Sequence, residues 1–258
     1  MQIRIILSSV ALFVLLIGQA TAANVHIISK TVNPGETFDL IVSIEPNGTA
    51  ISGGQLNLAF NNSIININSI SEGNLFKQKG ASTFFNSGII NNSSGTVVNI
   101  FGVIIGPNNV SNSGSFIIIN ATAVGSTGTS LISLYNVIIC NPEGVAIPLN
   151  VVNGSVNINS APVLAAIGNK IVNEGQKLTF TLSASDANGD ALTYSASNLP
   201  PGATFYQANG TFQWTPNFTQ SGTYSNMNFE VSDGSLTDFE NIMITVNNVK
   251  KSNGKNRL

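Results

Sequence analysis

From about residue 24 onward, apolar side chains recur at every second position, not at every third or fourth. Phe38, Leu40, Val42 and Ile44 alternate with polar or small neighbours, and Leu56, Leu58 and Phe60 repeat the pattern. Successive side chains of a strand point to opposite faces, so a period of two marks strands with one face in a core and one in water. Further runs cover 24–32, 64–71, 83–90, 96–105, 115–124, 130–140 and 151–158, which makes nine strands before residue 159. Pro34-Gly35, Asn47-Gly48, Asn92 to Gly95, Gly106 to Gly114, Gly125 to Gly128 and Asn141 to Gly144 separate the runs, and these are turn-forming residue types. Short strands at regular spacing predict an all-β fold, a nine-stranded jelly-roll β-sandwich.

The pattern is interrupted at Asn159-Ser160-Ala161-Pro162, where proline stiffens an extended connection. It then resumes in Leu178, Phe180 and Leu182, in Phe229 and Val231, and in Ile242, Ile244 and Val246. This second stretch has about the length of an immunoglobulin-like sandwich but lacks the paired cysteines of antibody domains. The predicted order is therefore a first domain over 23–158, a linker over 159–162, an immunoglobulin-like domain over 163–249 and a short polar tail over 250–258. Ahead of them, Met1 to Ala22 reads as a secretory signal peptide: Arg4, an apolar run from Ile5 to Ile17, and a small-residue cleavage site at Ala20-Thr21-Ala22. The predicted localisation is secreted or cell-surface.

Composition narrows the chemistry. Of 258 residues 43% are hydrophobic and only 9% charged, against roughly 25% charged in ordinary globular domains. Apolar content this high excludes a disordered acidic chain. A mature body that is acidic, with scattered Lys and Arg, argues against nucleic acid as a partner. One His and one Cys exclude a His-based triad, an internal disulfide and a His/Cys metal cluster within the chain. Cys140 follows Val137-Ile138-Ile139 and reads as a buried, inert thiol. Charge is distributed unevenly. Residues 24–158 carry −2, residues 161–249 carry −5, and the tail from Lys250 carries +4. That tail could meet an anionic envelope polymer or simply be a solvated chain end. Glu36, Asp39 and Glu45 read as solvated strand ends, and Trp214, between Phe212 and Pro216, reads as core.

Several short motifs in the first domain resemble the cohesin family, the receptor half of the cohesin–dockerin pair. They are Val32-Asn33-Pro34-Gly35-Glu36-Thr37-Phe38, Ser52 to Phe60, Glu72-Gly73-Asn74-Leu75-Phe76, Gly114-Ser115-Phe116 and Val152-Asn153-Gly154-Ser155-Val156. Asn61 and Asn62 stand where the family has Asp and Pro, and asparagine can still close that turn through its side chain. The resemblance implies a dockerin-bearing protein as partner, docking on one flat sheet face. Strand parity puts Gln55 and Asn57 outward, opposite Leu56 and Leu58. Asn99 and Phe101 share a parity with Val97, so Phe101 is either an outward hot spot or a core residue.

Residues 162–249 resemble the cadherin-like, immunoglobulin-type repeats of secreted microbial proteins. The motifs are Asn173-Glu174-Gly175, Asp186-Ala187-Asn188-Gly189-Asp190, Leu199 to Phe205, Gly210 to Pro216 and Phe229 to Gly234. Asp186, Asn188 and Asp190 stand at alternate positions around a glycine and could converge oxygens on Ca2+, which wants six to eight hard ligands. The resemblance brings Glu174 and Asp233 to the same pole. The alternative is a polar hairpin that binds nothing. In the linker, Asn159 and Ser160 stand where related linkers carry Asp, so any calcium there is held with less charge.

N-glycosylation sequons occur at Asn47, Asn61, Asn91, Asn92, Asn109, Asn120, Asn153, Asn209 and Asn217. The expectation is a secreted, non-catalytic binding module with a calcium-stiffened spacer. The alternatives are a structural or adhesive envelope protein and a carbohydrate-binding protein. The last would need a planar strip of exposed aromatics, for which the chain has few residues, and no pair of carboxylates is set out for glycosidase chemistry.

Overall fold

A computed structural model of the protein describes residues 21–249. Residues 1–20 of the predicted signal peptide and the basic tail 250–258 lie outside the described residues. The first domain contains β1 (Ala23–Ile27), β2 (Lys30–Val32), β3 (Thr37–Glu45), β4 (Gly53–Ala59), β5 (Ile65–Glu72), β6 (Thr83–Asn91), β7 (Thr96–Ile104), β8 (Gly114–Ala123), β9 (Gly128–Cys140), β10 (Leu149–Val152) and β11 (Gly154–Ile158). They form two facing sheets, in the orders β10-β1-β3-β8-β5 and β2-β11-β9-β4-β7-β6.

The nine apolar runs become eleven strand segments because the first and last runs change sheets midway. The first run pairs with β3 as β1 and, after Ile28-Ser29, crosses to the other sheet as β2. The last run pairs with β1 as β10 and, after Asn153, joins β2 and β9 as β11. The two crossings touch. Ser155 N donates to Ser29 Oγ at 3.0 Å, and a Cβ on Gly154 would lie 2.6 Å from Ile27 Cγ2. Only glycine permits that approach.

Alternation explains the core. On β3, Phe38, Leu40, Val42 and Ile44 are buried while Asp39 and Ile41 are exposed. Ile117 and Ile119 of the neighbouring β8 and Leu56, Leu58 and Ile132 of the facing sheet share this core, with Phe76 and Phe116 in edge-to-face contact at 5.7 Å. Each such side chain contributes about 1.5–3 kcal/mol by leaving water.

The second domain contains β12 (Val163–Leu164), β13 (Lys170–Asn173), β14 (Leu178–Thr181), β15 (Ala184–Ser185), β16 (Thr193–Ser197), β17 (Thr204–Tyr206), β18 (Thr211–Trp214), β19 (Gly222–Ser232) and β20 (Thr237–Asn247). A four-stranded sheet β13-β20-β19-β16 and a three-stranded sheet β14-β18-β17 enclose its own core, with the pair β12-β15 beside them. Phe180, Phe205, Phe212 and Phe229 cluster in that core. Trp214 is 2% exposed, as its spacing predicts. Cys140 is half-buried instead of fully buried, since it lies at the end of β9. Among the described residues no helix is long and apolar enough to cross a membrane.

Candidate partner face and cation pole

The outer face of the six-stranded sheet holds the first site. Strict alternation would send Phe101 to the same side as buried Val97. It does not, because Asn99 adopts φ 63° and inserts a bulge opposite β4. Asparagine tolerates this left-handed conformation better than branched residues do. The bulge shifts the buried set from Val97 to Ile100, and Phe101 turns to the half-exposed side. β9 carries a matching bulge next to Asn136, at φ 51°. Both irregularities flank the same residue of the central strand, Asn57, whose Oδ1 accepts the Asn99 N–H at 2.8 Å. Bulges bend strands and re-aim side chains.

Between them lies a concavity of about 890 Å³ that brings together Gln55, Asn57, Asn99 and Phe101. Asn86, Asn136 and Ile138 complete it. Sequence reading missed these three; an asparagine breaking a long apolar run, as in Leu134-Tyr135-Asn136-Val137-Ile138, was the available signal. Phe84, 55% exposed, tilts against Phe101 with ring centroids 5.9 Å apart. Electrostatically the face is blank. Strands β11, β9, β4, β7 and β6 contain no Asp, Glu, Lys, Arg or His.

The second site is the pole of the second domain that faces the first. Asp186, Asp190 and Asp233 bring one carboxylate oxygen each within 4.8 Å of one another. The local turns explain why. Asp186 Oδ1 accepts the N–H groups of Asn188 and Asp190 at 2.8 and 3.2 Å. Asp233 Oδ1 accepts those of Ser235 and Leu236, both at 2.6 Å. The Leu236 N–H first, then that of Ser235, and also the Asn159 amide hold the Asp233 carboxyl below the usual carboxylate range.

Asn188 does not point its oxygen into this group. Its Oδ1 accepts the Ser160 N–H at 2.7 Å and its Nδ2 donates to Ile158 O at 3.3 Å, so it ties down the linker. Glu174 is also elsewhere, which corrects the expectation that it shares the pole. Its oxygens accept the N–H groups of Ser221 and Val249, both at 3.0 Å. Ser221 immediately precedes β19 and Asp233 immediately follows it, and 11 residues of strand separate the two by roughly 35–40 Å. Glu36 is likewise not a solvated strand end. It is half-buried and lines a concavity of about 310 Å³ between the domains, with Asn33, Asn159, Asp190 and Asp233.

Seven of the nine sequon asparagines are exposed, and Asn92 and Asn120 are half-buried. Asn92 behaves as a pseudo-strand residue, accepting from Ile67 N at 2.9 Å and donating to Ile67 O at 3.0 Å. Asn120 Nδ2 donates to Asp39 at 2.8 Å.

With this geometry in view, the chain can be compared with known proteins. The family model described as "Cohesin domain" matches residues 23–158, and that described as "Putative Ig domain" matches residues 161–247. No curated protein matches the chain. Among solved structures, a non-cellulosomal cohesin from the hyperthermophilic archaeon Archaeoglobus fulgidus is 18% identical, with a TM-score of 0.44 and 54% of this chain and 93% of that one covered. A type I cohesin–dockerin complex from Clostridium thermocellum is 17% identical, with a TM-score of 0.45 and coverage of 53% and 93%. A type II cohesin domain from the cellulosome of Acetivibrio cellulolyticus is 15% identical, with a TM-score of 0.42 and coverage of 53% and 96%.

Proposed function

The chain belongs to the cohesin family through residues 23–158, and from that premise we propose that it is an exported, non-catalytic receptor for a dockerin-bearing protein. The observation that carries this reading is the bulge-shaped concavity on the six-stranded sheet, where Gln55, Asn57, Asn99 and Phe101 converge. A docking helix would set an apolar side chain against Phe101 and Ile138 and meet the amides with hydroxyl or amide groups. Such a centre, apolar and ringed by polar groups, is the usual anatomy of a specific interface. Release of residues 1–22 as a signal peptide would deliver the two domains outside the cell.

The second domain serves as a spacer, with Asp186, Asp190 and Asp233 holding a structural Ca2+. The residues fit that ion. All three offer hard oxygen donors, and Asp186 Oδ2 is buried with no hydrogen-bond partner.

The test is binding of the mature chain, residues 23–258, to type I and type II dockerin modules by calorimetry. At least one module is expected to bind with one-to-one stoichiometry, and Phe101→Ala to weaken it tenfold or more. Absence of binding across the panel, or retention on polysaccharide instead, would overturn the reading.

A further inference from the structure

The two sheets of the first domain end in the edge strands β10, β5, β2 and β6. Three of these edges are guarded. β2 is three residues long and starts with Lys30, and β10 has only four residues. β5 ends in Glu72 and is bulged between Ile67 and Ser69, and the Asn92 side chain occupies both the N–H and the C=O of Ile67. Short length, charge, bulges and covering groups are the means by which sheet edges avoid further pairing. β6 lacks them along its first half. It runs for nine residues without Asp, Glu, Lys, Arg, His or Pro, and it has β7 on one side and no strand on the other.

The register identifies the open groups. Ile105 N donates to Ser82 O at 2.8 Å, and the ladder continues with Thr83 opposite Ile104 and Phe84 opposite Val103. Bonded pairs alternate along an antiparallel ladder. Phe84 and Asn86 therefore bond to β7, while Thr83, Phe85 and Ser87 direct N–H and C=O away from it. Among the described residues the backbones of Phe85 and Ser87 make no bond outside the β6–β7 ladder. The regular stretch stops at Gly88, which has φ 79° and whose N–H is taken by Asn86 Oδ1 at 2.8 Å. On the solvent face of this stretch Phe84 is the large apolar side chain, more than half exposed and touching Phe101 of the partner face.

We propose that β6 is a self-association edge: it pairs antiparallel with β6 of a second copy of this chain, through Thr83 to Ser87. A two-fold axis brings a strand edge against itself, so the occupant must be complementary to its own sequence, and an uncharged segment sets no like charges opposite one another. Phe85 facing its own copy is the register that uses all three open residues. It sets Thr83 opposite Ser87 and makes about six backbone hydrogen bonds. It also sets Phe84 diagonal to its own copy, at roughly 7–8 Å, within reach of aromatic contact. The contact is small, in the class of weak, reversible interfaces below about 1,200 Å². The pairing does not depend on the receptor reading above; its consequence does. The two six-stranded sheets become continuous with both concavities on the same side. β4 and its copy lie five strand spacings, roughly 24 Å, apart, which leaves room for a docking helix about 10–12 Å wide on each. The dimer is a bivalent receptor.

The experiment is sedimentation equilibrium of the mature chain, residues 23–258, from about 1 μM to 1 mM at low salt. The apparent mass of wild type is expected to rise toward twice that of one chain. Phe84→Lys and Phe84→Glu place like charges diagonally across the two-fold axis without entering the core, and each alone should weaken the dimer tenfold or more. An equimolar mixture of the two variants should restore it, which also shows that both are folded. Ser87→Pro removes an outward N–H and should weaken the dimer as well. Wild type that stays monomeric at the highest concentration overturns the proposal. So does a dimer that survives Phe84→Lys undiminished, which would lie on another surface, or a mixture that fails to reassociate. None of these outcomes touches the dockerin titration, in which each chain binds one module whether or not it is paired.

Discussion

Asn99 and Asn136 shape the proposed partner face more than their chemistry suggests. Both occupy left-handed backbone, at φ 63° and 51°, where a β-branched side chain costs about 1–3 kcal/mol. Asn99→Val is therefore expected to lower stability by that order in denaturant titration and to weaken partner binding further, because Phe101 loses its aim. Asn99→Gly should preserve both. At the acidic pole, Asp233 has a depressed folded-state pKa, chiefly through the Leu236 N–H. Its contribution to stability is present above the unfolded value of about 4 and disappears as pH falls through the lower folded value. In EDTA, wild type should lose more stability than Asp233→Asn on acidification from pH 5 to pH 2, and equal losses would count against this account. Among the sequons, Asn92 has its side-chain nitrogen occupied by Ile67 O. Site mapping of protein from a glycosylating host should find Asn92 unmodified, with occupancy at exposed positions such as Asn61, Asn109 or Asn217.

At the level of elements, five adjacent strands without Asp, Glu, Lys, Arg or His form an electroneutral wall. Attraction between charges weakens steeply over the range from 50 mM to 1 M salt, where the screening length falls to about 3 Å. Partner binding on this face should therefore change less than about threefold in dissociation constant over that range, and a strong salt dependence would relocate the interface to the charged loops. The crossing of the first and last runs is a second element-scale device. Gly154 meets Ile27 at a distance no Cβ tolerates. Gly154→Ala should thus lower the melting midpoint of the first domain while leaving the Trp214 transition in place, since the two cores are separate clusters.

For the whole molecule, the decisive contacts pass through the linker. Asn159 N donates to Val32 O at 2.7 Å, and Ser160 N donates to Asn188 Oδ1 at the same distance, so adjacent residues are fastened to different domains. The period of two along the chain was enough to establish an all-β body, its strands and the interior positions of Leu56, Leu58, Phe212 and Trp214, because which face a strand side chain takes is a local property of the backbone. Local reading misjudged Glu36, the family resemblance misplaced Glu174, and strand parity left Phe101 open. A single bulge reverses parity, and the pole a carboxylate reaches depends on which end of an 11-residue strand it flanks. The division of the outer runs between two sheets, the meeting of Asp186, Asp190 and Asp233 at one pole and the concavity around Asn57 come from residues distant in sequence. Their proximity is set by pairing and packing that no local spacing encodes, and so it was decided only in the tertiary structure.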